Sequence, residues 1–158
     1  MGTEKCLRNH DTVHNILPIL DHYHKKIIGR KRNILVDTDE LLLGYLVTPA
    51  YVGDREAAKS LLRCFWLTLP RLTHIWADGN YDGPLVEWVK HCWGYTLGIV
   101  AKPEGQKGFS VLPRRWVVEC TFAWLGKQRR LSKDYEEKPA SSESFIQIAM
   151  MVRRLAPD

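Results

Sequence analysis

The chain has 158 residues, 45% of them hydrophobic and six of them tryptophan. That excludes intrinsic disorder and gives one domain with a real core, not two of ordinary size. Lys and Arg outnumber Asp and Glu by 23 to 18, a formal charge of +5, which suits a polyanionic partner.

No apolar run approaches the length of a membrane span, and no apolar stretch follows the charged start from Met1 to Arg8. Cys6, Cys64, Cys92 and Cys120 form no C-x-x-C pair, so they read as reduced thiols of a cytosolic protein.

The first 24 residues show little periodicity beyond the short apolar run Ile16 to Leu20. His10 and His14 have helical ligand spacing, but position 11 is Asp where a zinc helix carries Glu, so no metal site is expected there. Lys25, Lys26, Arg30, Lys31 and Arg32 crowd around Gly29. Asn33 to Asp37 predicts a strand, Asp39-Glu40 a turn, and Leu41 to Val47 an antiparallel partner closed by Thr48-Pro49.

Gly53-Asp54 supplies a helix N-cap, and Arg55 to Trp66 carries a helical pattern. Leu72 to Ala77 is the next strand, ending at Asp78, where Gly79 allows a tight turn. Gly83-Pro84 opens a helix that Gly94 ends, because proline is tolerated in a first turn. Tyr95 to Ala101 is a strand, and Lys102 to Gly108 a glycine- and lysine-containing loop. Pro113 starts a third helix reaching about Arg130. After a Glu-, Lys- and Ser-rich connector, Ser141-Ser142 caps a last helix with Phe145, Ile148, Ala149, Val152 and Leu155 as its apolar stripe. This order suits an α/β sheet with helices on its faces.

Two acids stand out. Asp78 ends a strand, where ligands gather in open α/β sheets, although Asp before Gly also caps ordinary turns. On the third helix, Trp116, Val117, Cys120, Ala123 and Trp124 read as one apolar arc with Glu119 at its border, half-buried and in need of a cation. Arg115 could provide that cation, as could a divalent metal shared with Asp78, since Mg²⁺ is held by one or two carboxylates plus substrate phosphates. The clustered cations Lys25, Lys26, Arg30, Lys31 and Arg32, with Arg114, Arg115, Lys127, Arg129 and Arg130, are candidates for DNA phosphates; a solvated charged face is the plainer reading.

Ordered blocks extend these motifs: Gly29 to Thr38, Val47 to Ala50, Trp76 to Tyr81, Lys102-Pro103 to Gly108-Phe109, Leu112 to Glu119, Trp124 to Gly126 and Lys133 to Glu136. In them the chain resembles the catalytic domain of bacterial insertion-sequence transposases of the DDE type, over roughly residues 25 to 155. The resemblance implies an RNase H-like core, a mixed sheet flanked by helices. It also implies a triad of two aspartates and a glutamate, of which Asp78 matches the second aspartate and Glu119 the glutamate. Two Mg²⁺ or Mn²⁺ ions, phosphodiester cleavage and strand transfer, double-stranded DNA at the element ends and target, a possible homodimer, and a nucleoid-associated place in the cytosol come with it.

The sequence departs from that pattern in two places. The first aspartate belongs to an Asp-Ser motif upstream of Gly29; counting back reaches the region of Cys6, where none stands, and Asp11 and Asp21 follow no strand-like run. Cys120 also replaces a usually basic residue. The expectation is therefore a degenerate segment over 1–24 and a partial domain over 25–158 lacking its first strand. Such a chain would be truncated and inactive, or else a non-catalytic nucleic-acid-binding remnant. Asp37 is the acid that could stand in for the missing one.

Overall fold

A computed structural model describes residues 13–19, 29–100 and 115–155. The hairpin Asn33 to Val47 forms as its alternation predicts, but its first strand starts earlier. Strand β2 runs Arg30–Val36 and pairs antiparallel with β3, Leu42–Pro49. Asp37 closes the turn between them: its Oδ1 accepts the N–H groups of Asp39 at 2.9 Å and Leu41 at 2.8 Å. Glu40 takes the left-handed backbone there, at φ 60°, and its carboxylate is tied to Arg153 near the chain's C-terminal end.

β4 (His74–Asp78) and β5 (Thr96–Val100) pair in parallel. Between the two halves lies β1, Val13–Ile19, antiparallel to β2 and parallel to β4, giving the order β3-β2-β1-β4-β5. The opening strand, expected to be missing, is thus supplied by residues inside the segment read as degenerate. Its sequence hides it: His14 and Asn15 interrupt the apolar run, and Pro18, which cannot donate to a ladder, argues against a central strand.

Side-chain alternation then sorts the core into two layers. From β2, Leu35 turns to one face and Ile34 and Val36 to the other. The first face is covered by α1, Asp54–Phe65, and α2, Pro84–Trp93, through Ala58, Leu61, Leu62, Leu85 and Val89 against Ile75, Ala77 and Leu97. Pro84 stands at the start of α2 and Gly94 ends it in the left-handed region, φ 71°, its N–H bonded to Lys90 O, as the sequence predicts. The second face is covered by α3, Arg115–Lys127, and α4, Pro139–Leu155, through Val117, Val118, Phe122, Leu125, Ile146 and Ala149.

The last helix differs from its expected pattern. It starts at Pro139; Ser142 is buried inside it instead of capping it, and the buried set is Ser142, Ile146 and Ala149. Ile148, Val152 and Leu155 point to solvent. The stripe that meets β3 is therefore narrower and turned relative to the apolar residues of the sequence, because Met150 and Phe145 flank the buried line and extend it instead.

At the start of α1 the cap Gly53 makes no side-chain bond. The entry is held instead by Lys31, 9% exposed, whose Nζ donates to Val52 O at 2.9 Å and Asp54 Oδ1 at 2.8 Å. With side chains 11% and 15% exposed, this pair is screened little by water, and removing one partner leaves a charge in a poor solvent. Lys31→Ala is expected to lower unfolding stability by about 3 kcal/mol. In denaturant titrations, the Lys31→Ala and Asp54→Asn double variant should lose less than the two single losses combined. Strict additivity would show that the pair does not couple.

Candidate active site

Asp78 is placed by the alternation of β4. Ile75 and Ala77 face the α1–α2 layer, so His74, Trp76 and Asp78 face the side on which α3 packs against β1, β2 and β4. The plainer reading of Asp78 holds as far as it goes: Oδ1 accepts the Asn80 N–H at 2.9 Å and caps the short 3₁₀ turn Gly79–Tyr81. Gly79 keeps an ordinary φ and has open space around it, so the turn does not depend on glycine.

Glu119 lies in α3, on the same side of the sheet. Its setting differs from the half-buried border expected. Val117, Val118, Thr121, Phe122 and Leu125 are the buried positions, whereas Trp116, Cys120 and Ala123 are exposed and Trp124 is intermediate. At roughly 100° per residue, Glu119 stands about 130° from the middle of that arc, and it is exposed. The two tryptophans suggested the wrong arc. The sheet selects the compact set at 118, 121, 122 and 125, and Trp124 instead sits at the edge with the Arg153 guanidinium 5.4 Å from its ring.

Behind Asp78, on the opposite layer, Tyr81 is fully buried, and its hydroxyl has no hydrogen-bond partner. Burial, with the carboxylates of Asp54 and Asp78 as lesser causes, pushes its phenol far above the usual tyrosine range. Sequence reading gave no signal for this group beyond its place after Asp78.

Asp37, the acid that could stand in for the first aspartate, lies at the other end of the sheet from Asp78. Val36 pairs with Asn15 and Ala77 with Ile16, and β2 runs against β1, so Asp37 leaves the sheet at the end where β4 begins. It is 5% exposed and bound into the hairpin. β1 itself, Val-His-Asn-Ile-Leu-Pro-Ile, contains no carboxylate. Among the described residues no three His, Cys, Asp or Glu side chains converge on a point that could hold a metal.

The basic cluster before the hairpin is engaged within the fold. Lys31 holds the α1 entry. Arg30 Nε pairs with Asp134 Oδ2 at 2.8 Å, and its Nη1 donates to Glu137 O at 3.3 Å. Arg32 donates to the carbonyls of Leu131 and, at 2.9 Å, Lys133. These cations lie within β2, not ahead of it, so alternation turns Arg30 and Arg32 toward the α3–α4 connector and Lys31 toward α1. The reading of all three as an open phosphate patch is corrected accordingly.

Beyond α3 the picture is different. Lys127, Arg129 and Lys133 are exposed; Arg130 pairs with Glu136 at 3.2 Å and lies 5.0 Å from the Phe145 ring. Arg115 opens α3, while Lys25, Lys26, Arg114 and the 102–108 loop lie outside the described residues.

Comparison with known proteins identifies the family of the chain. The family model described as "Transposase DDE domain" matches residues 11–154. A Burkholderia cepacia protein, "Putative transposase for insertion sequence element IS402", is 29% identical over 129 residues, which is 76% of this chain and 60% of that protein. The chain thus spans less than two thirds of that relative's length. Among solved structures, a simian T-cell lymphotropic virus intasome in complex with PP2A regulatory subunit B56 gamma superposes at a TM-score of 0.54 with 18% identity. That match covers 90% of this chain and 48% of the other. It supports the sheet order and helix layers seen here as the RNase H-like fold. The sequence match over nearly the whole chain goes further: this protein belongs to the transposases with a DDE domain.

Proposed function

We propose that the chain is part of the catalytic domain of an insertion-sequence transposase that binds double-stranded DNA, with Asp78 and Glu119 as the second and third acids of its site. The observation that carries this reading is that the end of β4 and helix α3 share one face of the sheet. An opposite-face arrangement would have kept the two carboxylates apart whatever the motifs.

The donor set fits a divalent ion in part. Two carboxylates with DNA phosphates suit one Mg²⁺ or Mn²⁺, which prefers oxygen ligands and keeps several waters. A pair of ions needs more oxygen donors than Asp78 and Glu119 supply, and β1 brings no carboxylate. Such an ion would polarise a phosphodiester and favour an oxygen nucleophile. Asp78 would supply an oxygen from a backbone position its turn already fixes, and Glu119 an oxygen from an open helix face that DNA can reach. Removing one member of a catalytic unit typically costs orders of magnitude in rate. The isolated chain, mixed with DNA bearing element ends and Mg²⁺ or Mn²⁺, is therefore expected to give no strand-transfer product. A joined product abolished by Asp78→Ala and by Glu119→Ala would show that another acid completes the site.

A second reading, DNA binding without chemistry, draws on the exposed Lys127 at the end of α3 and Arg129 and Lys133 after it. Cations that replace the counterions of DNA make affinity fall as salt rises, with a logarithmic slope of about −0.9 per phosphate neutralised. For these three the slope in fluorescence anisotropy titrations should be near −3, and Lys127→Ala with Arg129→Ala should flatten it by about two. An unchanged slope would place the phosphate contacts elsewhere.

A further inference from the structure

The turn between β3 and α1 is fixed at several points. Ala50 N–H donates to Gly29 O at 2.8 Å and Val52 N–H to Pro49 O at 3.0 Å. The Lys31 ammonium grips Val52 O at 2.9 Å and Asp54 Oδ1 at 2.8 Å. On this held backbone Tyr51 is 89% exposed, more than any other large hydrophobic side chain described. A ring so exposed contributes almost nothing to the core, and a turn accepts many smaller residues.

One helical turn further on, Arg55 is exposed, and among the described residues its guanidinium makes no hydrogen bond or ion pair. It reaches over the loop before α2, where Nη2 lies 4.0 Å from the position a Cβ on Gly83 would take.

Both residues stand on the edge of the sheet that carries Asp78. Pro49 pairs with Arg30, Arg32 with Ile19, and Ile16 with Ala77, so β3 ends where β1 and β4 end. Counting along the register puts the turn about four residues beyond Asp78 and three strands across. At about 3.3 Å per residue and 4.8 Å per strand this is roughly 20 Å, and Arg55 beside Gly83 spans part of the gap.

We propose that Tyr51 and Arg55 form a DNA-strand contact on the Asp78 edge, Tyr51 stacking on an unpaired base and Arg55 meeting a neighbouring phosphate. This rests on the reading of the chain as DNA-binding and names residues outside the basic clusters. A lone aromatic beside an uncompensated cation matches the alternation of base and phosphate along a strand. A protein partner would instead be expected to meet an aromatic set in a pocket that excludes water, whereas Tyr51 is 89% exposed on a turn whose other residues are Pro49, Ala50, Val52 and Gly53.

The test uses the full chain and a fluorescein-labelled duplex with a 3′ single-stranded overhang, read by anisotropy at several salt concentrations. Tyr51→Ala is expected to weaken binding to the overhang substrate by about 10-fold or more, Tyr51→Phe to retain it, and the fully paired duplex to be affected less. Arg55→Ala should reduce the salt slope by about one. Leu67→Ala, 72% exposed beyond the other end of α1, should bind as the parent does. Thermal melting shows that each variant is folded. Parent-like binding by folded Tyr51→Ala overturns the stacking contact while leaving the DNA-binding reading standing, and so does failure of Tyr51→Phe to retain binding. Absence of DNA binding by the parent chain overturns both.

Discussion

The parallel ladder between β1 and β4, from Val13 opposite His74 to Ile16 opposite Ala77, is the joint on which the molecule turns. On one side of it lies an antiparallel hairpin made by local contacts; on the other, two parallel strands that need a crossover helix between them. Without β1 these are two small sheets, each with an unpaired edge and a face too narrow to bury a helix. With it, five strands present two continuous apolar faces, one for α1 and α2 and one for α3 and α4. The place of Asp78 follows from the same joint. β4 must turn Ile75 and Ala77 into one layer, so its terminal acid emerges on the other, at an end where the strands stop and solvent begins.

How much of this the sequence disclosed depended on whether a residue's partner was near or far in the chain. The hairpin, the β4–α2–β5 unit and their turns were legible, because alternation, Pro84 at a helix start and Gly94 at a helix end are local signals. β1 was not legible. Its pairing partners lie in β2 and β4, and the backbone hydrogen bonds that define a strand tolerate polar residues that spoil its pattern. The sides of α3 and α4 were misjudged for a related reason. Hydrophobicity shows that a helix has an apolar side, but the sheet beneath decides which part of a broad apolar arc is covered. In α3 that choice fell on Val118, Phe122 and Leu125, leaving Trp116 45% exposed.

Charge was the least legible property. Five cations in a run of eight look like a patch for phosphates, yet three of them sit in a strand, where alternate side chains diverge to opposite faces. Arg30 and Arg32 become ties between β2 and the α3–α4 connector, satisfying carbonyls that a loop cannot pair for itself. Lys31 becomes a clamp on the entry to α1, donating to Val52 O and Asp54 Oδ1. Exposed cations such as Lys127 at the end of α3, Arg129 and Lys133 in the connector that follows, and Arg55 in the first turn of α1 stand at helix ends and in connectors, where no ladder fixes their direction. A basic run within a strand is thus a poorer guide to a polyanion site than the same number of cations on a connector.

The ladder and the acids also differ in what they require of the sequence. A central strand is held by backbone N–H and C=O groups, which nearly every residue carries, so Val-His-Asn-Ile-Leu-Pro-Ile can fill the middle of the sheet. A metal-dependent site needs oxygen donors at particular side chains, and no substitution of an apolar residue supplies one. The two requirements are separable, and this chain separates them. It has the topology, with Asp78 at the end of β4 and Glu119 on α3, while the strand between the sheet's two halves carries no acid. Fold recognition reads the first set of constraints and catalysis the second, which is why membership of the transposase family and competence in transposition have to be argued from different residues.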